Sequence, residues 1–365
     1  MNFADYKFHS SSLRMLKRIL FIVSLFFVVK EANSQATSPK YSNEFLNLGI
    51  GARSLGMGGT QVGIVKDVTA GYWNPAGLLN IKNKYEVAAM HAEYFAGIAK
   101  YDYLGFATPV DSTSHIGFSI IRFGVDDIPD TRYLYDANGV INYDNISFFS
   151  AADYAFLISY AKKDLLLPGL KLGANFKVVH RVVGSFANAW GFGLDVGAQY
   201  EFKGWMIGVM GRDITGTFNA WSHNSEMVKD VYSATGNVIP ENSIEVTLPK
   251  FLIGVGKEFK VWKFGILPAV DFNVTFDGKR NVLLKSEVVS ADPVMGLEVD
   301  YQKFIFLRGG VKNIQEVDNR TTYEPNFGVG VKIKDFQIDY AMTDVGDVSQ
   351  SLYSHVFSLR YGFSK

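Results

Sequence analysis

The chain contains no cysteine, so disulfides, thiol nucleophiles and thiolate metal sites are excluded. It carries no net charge either: 36 lysines and arginines stand against 36 aspartates and glutamates. Binding nucleic acid takes a basic excess that displaces counterions from phosphate, and this balance excludes it as the main partner. After the N-terminal region no apolar run approaches the roughly 20 residues of a membrane helix. His9, His91, His115, His180, His223 and His355 lie on separate segments without HxxxH or HExxH spacing, so no metal is expected. His115 follows Ser114, but neighbours along a strand point to opposite faces, so the pair does not make a nucleophile and its base. No enzyme activity is expected.

Aromatic residues make up 15% of the chain, with 29 Phe and 19 Tyr, a composition that favours strands. The dominant period is two. In "AWGFGLDVGAQYEF" (189–202) one face carries Trp190, Phe192, Leu194, Val196 and Tyr200, and the other Gly191, Gly193, Asp195, Gly197 and Gln199. About fourteen segments of this kind follow residue 81. They are long for globular strands, usually about 5–6 residues, and suit tilted membrane strands of about 9–11. Tight connections near 110–113, 162–168, 203–204, 259–260, 302–303 and 334–335 alternate mostly with longer ones at 125–150, 215–246, 276–292, 313–322 and 344–349. Short turns at one end and long loops at the other, with an even strand number, predict an all-β transmembrane antiparallel barrel with both termini periplasmic. A soluble sandwich also alternates. The sparse, glycine-interleaved charges of the polar faces and the aromatics at strand ends (Trp205, Trp262, Tyr361, Phe363) favour the barrel and an outer-membrane lipid surround.

At the N-terminus Lys17 and Arg18 precede "ILFIVSLFFVV" (19–29) and "KEANSQ". This is the pattern of a signal peptide over 1–34, with Met15 as an alternative start. Residues 35–80 then precede the first strand, and 81–365 form the barrel. The intervening segment is unlike the rest. "GIGARSLGMGGT" (49–60) has the glycines of a phosphate loop but neither the Gly-Lys-Ser/Thr nor the βαβ setting that nucleotide binding needs. No cofactor is expected. "AGYWNPAGLL" (70–79) adds an Asn-Pro turn. A compact Gly-rich segment at the short-turn end can fold back into the barrel mouth as a hatch.

The stretch "NLGIGARSLGMGGTQVGIVKDVTAGYWNPAGLL" (47–79) resembles the opening signature of the PorV/PorQ family of outer-membrane proteins, itself similar to the FadL-like fatty-acid channels. The matching residues include Gly51, Arg53, Gly58, Gly59, Asp67, Trp73, Asn74, Pro75, Ala76 and Gly77. The resemblance implies a fourteen-stranded barrel plugged by an N-terminal hatch. It further implies type IX secretion, with secretion components or cargo signal domains received through extracellular loops. Its FadL-like side implies transport of a hydrophobic small ligand with lateral exit through the wall. An apolar lumen leading through the hatch to a wall opening would mark the transporter. A sealed hatch and a groove among the outer loops would mark the secretion partner.

Two further sets of residues are singled out. The loop at 126–149 holds Asp126, Asp127, Tyr133, Tyr135 and Tyr143 together with Asp136, either a solvated acidic loop or a recognition surface. In "SHIGFSIIRFGV" (114–125) the apolar register slips at Ile120–Ile121. A β-bulge there would turn Arg122 inward and keep Ile121 and Phe123 outward, opening the wall. The other reading is a strand end where Arg122 snorkels at the outer interface.

Overall fold

The computed structural model describes residues 42–135, 138–317, 320–343 and 354–363. Expectations for the signal peptide, Asp136 and the 344–349 connection therefore lie outside or partly outside the described residues. The strands form one closed antiparallel sheet. They are β1 (Tyr85–Tyr94), β2 (Ala99–Pro109), β3 (Ser114–Asp130), β4 (Ser147–Lys163), β5 (Lys171–Val183) and β6 (Ala187–Phe202). β7 has two stretches, Trp205–Arg212 and Thr217–His223, and β8 has three, Ser243–Thr247, Lys250–Lys257 and Phe259–Val261. The circuit continues with β9 (Phe264–Thr275), β10 (Ser290–Tyr301), β11 (Ile305–Val317), β12 (Arg320–Ile333), β13 (Phe336–Thr343) and β14 (Ser354–Phe363). Pairing of β14 with β1, from Tyr85↔Phe363 to Glu93↔His355, closes a fourteen-stranded barrel.

The barrel is turned inside out relative to a soluble protein. On β6 the apolar Trp190, Phe192, Leu194 and Val196 face outward, while Asp195 and Gln199 are buried within. Lys177, Glu298 and Arg308 are likewise buried inside, and Phe176, Leu297, Leu307 and Val329 are exposed outside. Such an exterior is stable only against lipid. Closure also leaves no unpaired strand edge in that medium.

Every even-numbered strand returns the chain to the end where β1 starts and β14 finishes. Turns at this terminal end are tight. The β6–β7 turn places Lys203 and Gly204 at φ of 50° and 79°, the two positive values that match strand twist in a two-residue hairpin. The β8–β9 turn falls at Trp262–Lys263 rather than at 259–260, because β8 resumes as Phe259–Val261 against β9. At the opposite, long-loop end several expected loops are strand instead. β3 and β4 pair beyond 125 and before 150, and β11 and β12 pair through most of 313–322, with the register shifted between Lys312 and Gln315. Asn313, at φ 50°, donates to Glu324 at 2.7 Å within that irregularity. The loop after β7 contains a helix, α3 (Ser225–Thr235).

The expected bulge at Ile120–Ile121 is absent. β2 and β3 pair without interruption from Ala99↔Val125 to Pro109↔His115. Ile121 is fully buried inside and Phe123 packs against the same inner cluster, so Arg122 stays on the outer face. The inner wall here is apolar because it packs against the N-terminal segment. Arg122 is tolerated outside because Asp102 and Asp126 each approach it at 3.5 Å. β3 does bulge, but between Val125 and Ile128, with Asp127 at φ 56°. A larger irregularity interrupts β7 at residues 213–216, between Arg212↔Lys250 and Thr217↔Thr247.

Candidate functional site: seat of the N-terminal segment, lumen and loop groove

Residues 42–81 fold against the inward faces of the strands, with short helices α1 (Ala52–Gly56) and α2 (Ala70–Trp73) and 3-10 turns at Glu44–Asn47 and Pro75–Asn80. Ile50, Ala52, Val62, Val65, Ala70 and Leu78 have no exposed surface. The segment lies so close to the wall that several inward positions admit only glycine. A Cβ on Gly208 would lie 2.1 Å from the Val62 carbonyl oxygen, and one on Gly310 2.2 Å from the Gly58 nitrogen. On Gly197 it would lie 2.1 Å from the Asn74 Oδ1, and on Gly173 2.4 Å from the Ala76 nitrogen. Sequence reasoning missed this seat. Its signal was the glycine interleaved along the polar faces, read only as a crowded lumen.

The signature residues hold the segment's own shape and its attachment. Asn74 caps the 3-10 turn: its Oδ1 accepts from Ala76 N at 3.2 Å, and Pro75 occupies the first position, where no N–H is needed. The Asn74 Nδ2 donates to the Val62 and Ala198 carbonyls, both at 3.0 Å, tying the segment to β6. Trp73 donates from Nε1 to the Ile50 carbonyl at 3.0 Å. Gly77 sits against Val65, where a Cβ would be 2.7 Å from the carbonyl oxygen. Gly51, Gly58 and Gly59 take positive φ of 85°, 68° and 91° around α1, a region costly for other residues.

Arg53 and Asp67 join the segment to the wall through charge. Arg53 donates to both Glu298 oxygens, at 2.8 and 3.1 Å. Glu298 also accepts from Arg308 at 2.7 Å, and Arg308 donates to Asp339 at 2.7 Å. Gln337 bridges Asp339 to Arg360, and Arg360 donates to Asp67 at 2.5 Å. Three cations and three anions thus make a neutral chain from β10 to β14 that begins and ends in the N-terminal segment. Burial alone would lower the Arg53 guanidinium, but Glu298, with Asp67 and Asp339 beyond it, together outweigh burial and keep it above its ordinary value. Burial would raise the Asp67 carboxyl, but Arg360, Arg53 and the two hydrogen bonds from Thr69 together outweigh it and hold it below the ordinary carboxylate range.

Beside a small space of about 30 Å³ against Arg53, Asp67 and Arg360, three larger ones lie around the segment or among the long loops. On the long-loop side a lumenal cavity of about 690 Å³ lies between it and β8–β12. Its lining is mixed: Asn273, Thr275, Ser290 and Gln315 share it with Leu48, Leu55, Trp73, Leu252, Val282 and Val294. At the terminal end a vestibule of about 530 Å³ is lined by Lys66, Lys82, Lys171 and Lys260 with Glu201 and Glu258. A groove of about 620 Å³ lies among the long loops, between the extension of β3, the β5–β6 turn and α3. The groove is the most apolar and aromatic of the three, with Phe149, Phe186, Trp221, Val228 and Tyr232. Phe149 and Phe186 meet edge to face at 4.9 Å, the Arg132 guanidinium lies 4.5 Å from the Phe186 ring, and Arg181 lies 5.1 Å from the Trp221 ring. Both guanidiniums are neutralised, Arg132 by Asp130 and Arg181 by Asp153 and Glu245.

The remaining candidate residues do not converge on the groove. Asp126 turns to the outer wall, pairing with Lys100 at 3.3 Å and with Arg122. Asp127 forms the bulge. Tyr133, Tyr135 and Tyr143 are exposed at 58%, 62% and 72% and do not line it, although the Tyr133 ring lies 5.5 Å from the guanidinium of Arg132, which does. Ile120 faces outward on the regular stretch of β3. Among the described residues no group of three or more histidines and carboxylates is arranged to hold a metal ion.

No protein-family model matches the chain, and no curated protein matches it. Solved structures do. The toluene transporter TbuX of Ralstonia pickettii superposes with a TM-score of 0.54 at 16% identity, covering 86% of this chain and 98% of its own. The P. putida toluene transporter TodX gives 0.54 at 13% identity, covering 87% and 99%. A Pseudomonas aeruginosa FadL homologue gives 0.52 at 11% identity, covering 86% and 98%. At these identities the likeness shows the fold. Nothing in the comparisons points to the PorV/PorQ family in particular or to type IX secretion.

Proposed function

We propose that this protein is a non-enzymatic outer-membrane barrel that takes up small hydrophobic molecules from the long-loop side. In this reading residues 42–81 act as its hatch and both barrel termini face the periplasm. The observation that carries the reading is the groove. It is an aromatic-lined space of about 620 Å³ among the long loops, within the range of about 300–1,000 Å³ of small-molecule sites. The barrel that bears it has the fold of proteins described as toluene transporters. The hatch is seated on glycine backbone, so uptake requires it to shift. The reading is tested by uptake of radiolabelled toluene into cells that depend on this barrel. Wild type should accumulate label faster than a deletion strain, and Trp221→Ala should lower the rate at unchanged barrel abundance. Equal uptake by all three strains would reject it.

A second reading, docking of exported proteins at the same loops, is favoured by the number of side-chain bonds that close the hatch. It expects stable protein partners on purification in mild detergent and no dependence of toluene uptake on Trp221.

A further inference from the structure

The outer face of the barrel has a corner that neither the groove nor the hatch uses. It lies at the terminal end, where the β6–β7 turn, β8 and the β8–β9 turn stand side by side. Four large rings are exposed there, Phe202, Trp205, Phe259 and Trp262. Rings at the ends of lipid-facing strands mark the level of the lipid headgroups.

Three lysines lie on those rings. The Lys257 Nζ is 4.9 Å from the Trp205 ring and 5.5 Å from the Phe259 ring. The Lys203 Nζ is 5.2 Å from Phe202, and the Lys263 Nζ 5.0 Å from Trp262. Lys257 belongs to the wall itself. Leu252, Gly254 and Gly256 are the buried, inward positions of β8, so alternation sets Lys257 on the lipid side, directly across from Trp205. A ring face attracts an ammonium and fixes its place, but it does not cancel the charge.

No carboxylate cancels it either. Lys203, Lys257 and Lys263 form no ion pair with any described residue. The acids next to them in sequence, Glu201 and Glu258, line the vestibule inside the barrel. Glu258 is engaged there by Lys303 at 2.7 Å and Lys66 at 3.9 Å. Outer-wall cations near the long loops are treated differently. Lys100 pairs with Asp126 at 3.3 Å, and Arg122 with Asp102 and Asp126, both at 3.5 Å. Those two are neutralised on the protein's own surface, and the three at the terminal end are not. Uncompensated ammoniums at headgroup level are complementary to anionic lipid, and each lysine near such a surface adds to the attraction.

We infer that Lys203, Lys257 and Lys263, with Trp205 and Trp262, form a binding site for the headgroup phosphate of an anionic glycerophospholipid in the leaflet at the terminal end. The lysines hold the phosphate, and the rings set their height and pack against the glycerol and the upper acyl chains. A zwitterionic lipid brings an ammonium of its own, which the same lysines repel. The inference rests on the lipid-facing exterior of the barrel and not on uptake through the groove.

The test is native mass spectrometry of the full chain in a nonionic detergent with equimolar phosphatidylglycerol and phosphatidylcholine of identical acyl chains. Wild type should retain phosphatidylglycerol about tenfold over phosphatidylcholine. Lys203→Gln, Lys257→Gln and Lys263→Gln combined should lower that preference at least about fivefold, with heat-modifiable migration retained as proof of folding. Lys100→Gln, near the long loops, should leave it unchanged. Equal retention of the two lipids by wild type, or an undiminished preference in the folded triple variant, would overturn the inference. Displacement of the bound lipid by an equal concentration of glycerol phosphate would show a site for soluble anions and overturn it as well.

Discussion

At the scale of single residues the hatch depends on groups that bond backbone rather than ligand. Asn74 satisfies an amide of its own turn and two carbonyls, one of them on β6. Asn74→Ala leaves the buried Ala76 amide without its partner and takes one donor each from the Ala198 and Val62 carbonyls, the latter keeping Gln199, at about 1–3 kcal/mol. The variant should unfold at a lower temperature on heat-modifiability gels and admit more of a large antibiotic into cells; unchanged values in both assays would remove Asn74 from the hatch's support. Gly208 is a steric counterpart. Valine there drives its Cβ into the Val62 carbonyl, so Gly208→Val should expose residues 42–81 to protease while the strands stay protected. Asn74 and its proline were legible in the sequence because a cap and a turn are local. The glycine seat was not, because which hatch atom meets which strand depends on contacts between residues far apart in the chain, such as Gly208 and Val62.

Among elements, the hatch and strands β10–β14 are joined by the charge chain from Arg53 to Asp67. The folded Asp67 carboxyl is held below its ordinary value by Arg360 and Arg53 against the opposing effect of burial. A depressed carboxyl stabilises the fold above its unfolded value of about 3.9, and that stability is lost as pH falls through the lower folded value. The hatch should therefore stay shut at neutral pH and loosen in strong acid. In planar bilayers conductance should be low at pH 7 and rise below about pH 3.9. Asp67→Asn should conduct at pH 7 and lose that part of the acid response. Conductance that is equal at the two pH values in wild type would show that the ion chain does not hold the hatch. The sequence marked Arg53 and Asp67 as signature residues and put balanced charge on the inner faces. It could not order the pairs, since the order follows from register between strands. β3 shows the same limit. Its slipped apolar pattern reads equally as a bulge or as an outward arginine, and the choice fell to the apolar hatch packed behind Ile121 and Phe123.

For the whole molecule, the outward Leu, Val, Phe and Trp of every strand require lipid, and closure removes every strand edge within it. The protein should therefore fractionate with outer membranes and run differently on gels before and after boiling. Recovery in the soluble periplasmic fraction would reject the membrane barrel. Strand number, which end carries the tight turns, and the apolar exterior were determined by the sequence alone, whereas at 125–150 and 313–322 strands run on where it predicts loops. Period-two patterning is local, and it can be met in only one way when its apolar face is this long and this continuous. What the lumen contains was decided by tertiary structure. Inward residues are short, polar or glycine, and their meaning rests on what lies across the barrel from them. The seat of the hatch and the aromatic groove each join side chains from strands distant in the chain. No local period records that meeting, because the barrel brings those strands together only when it closes.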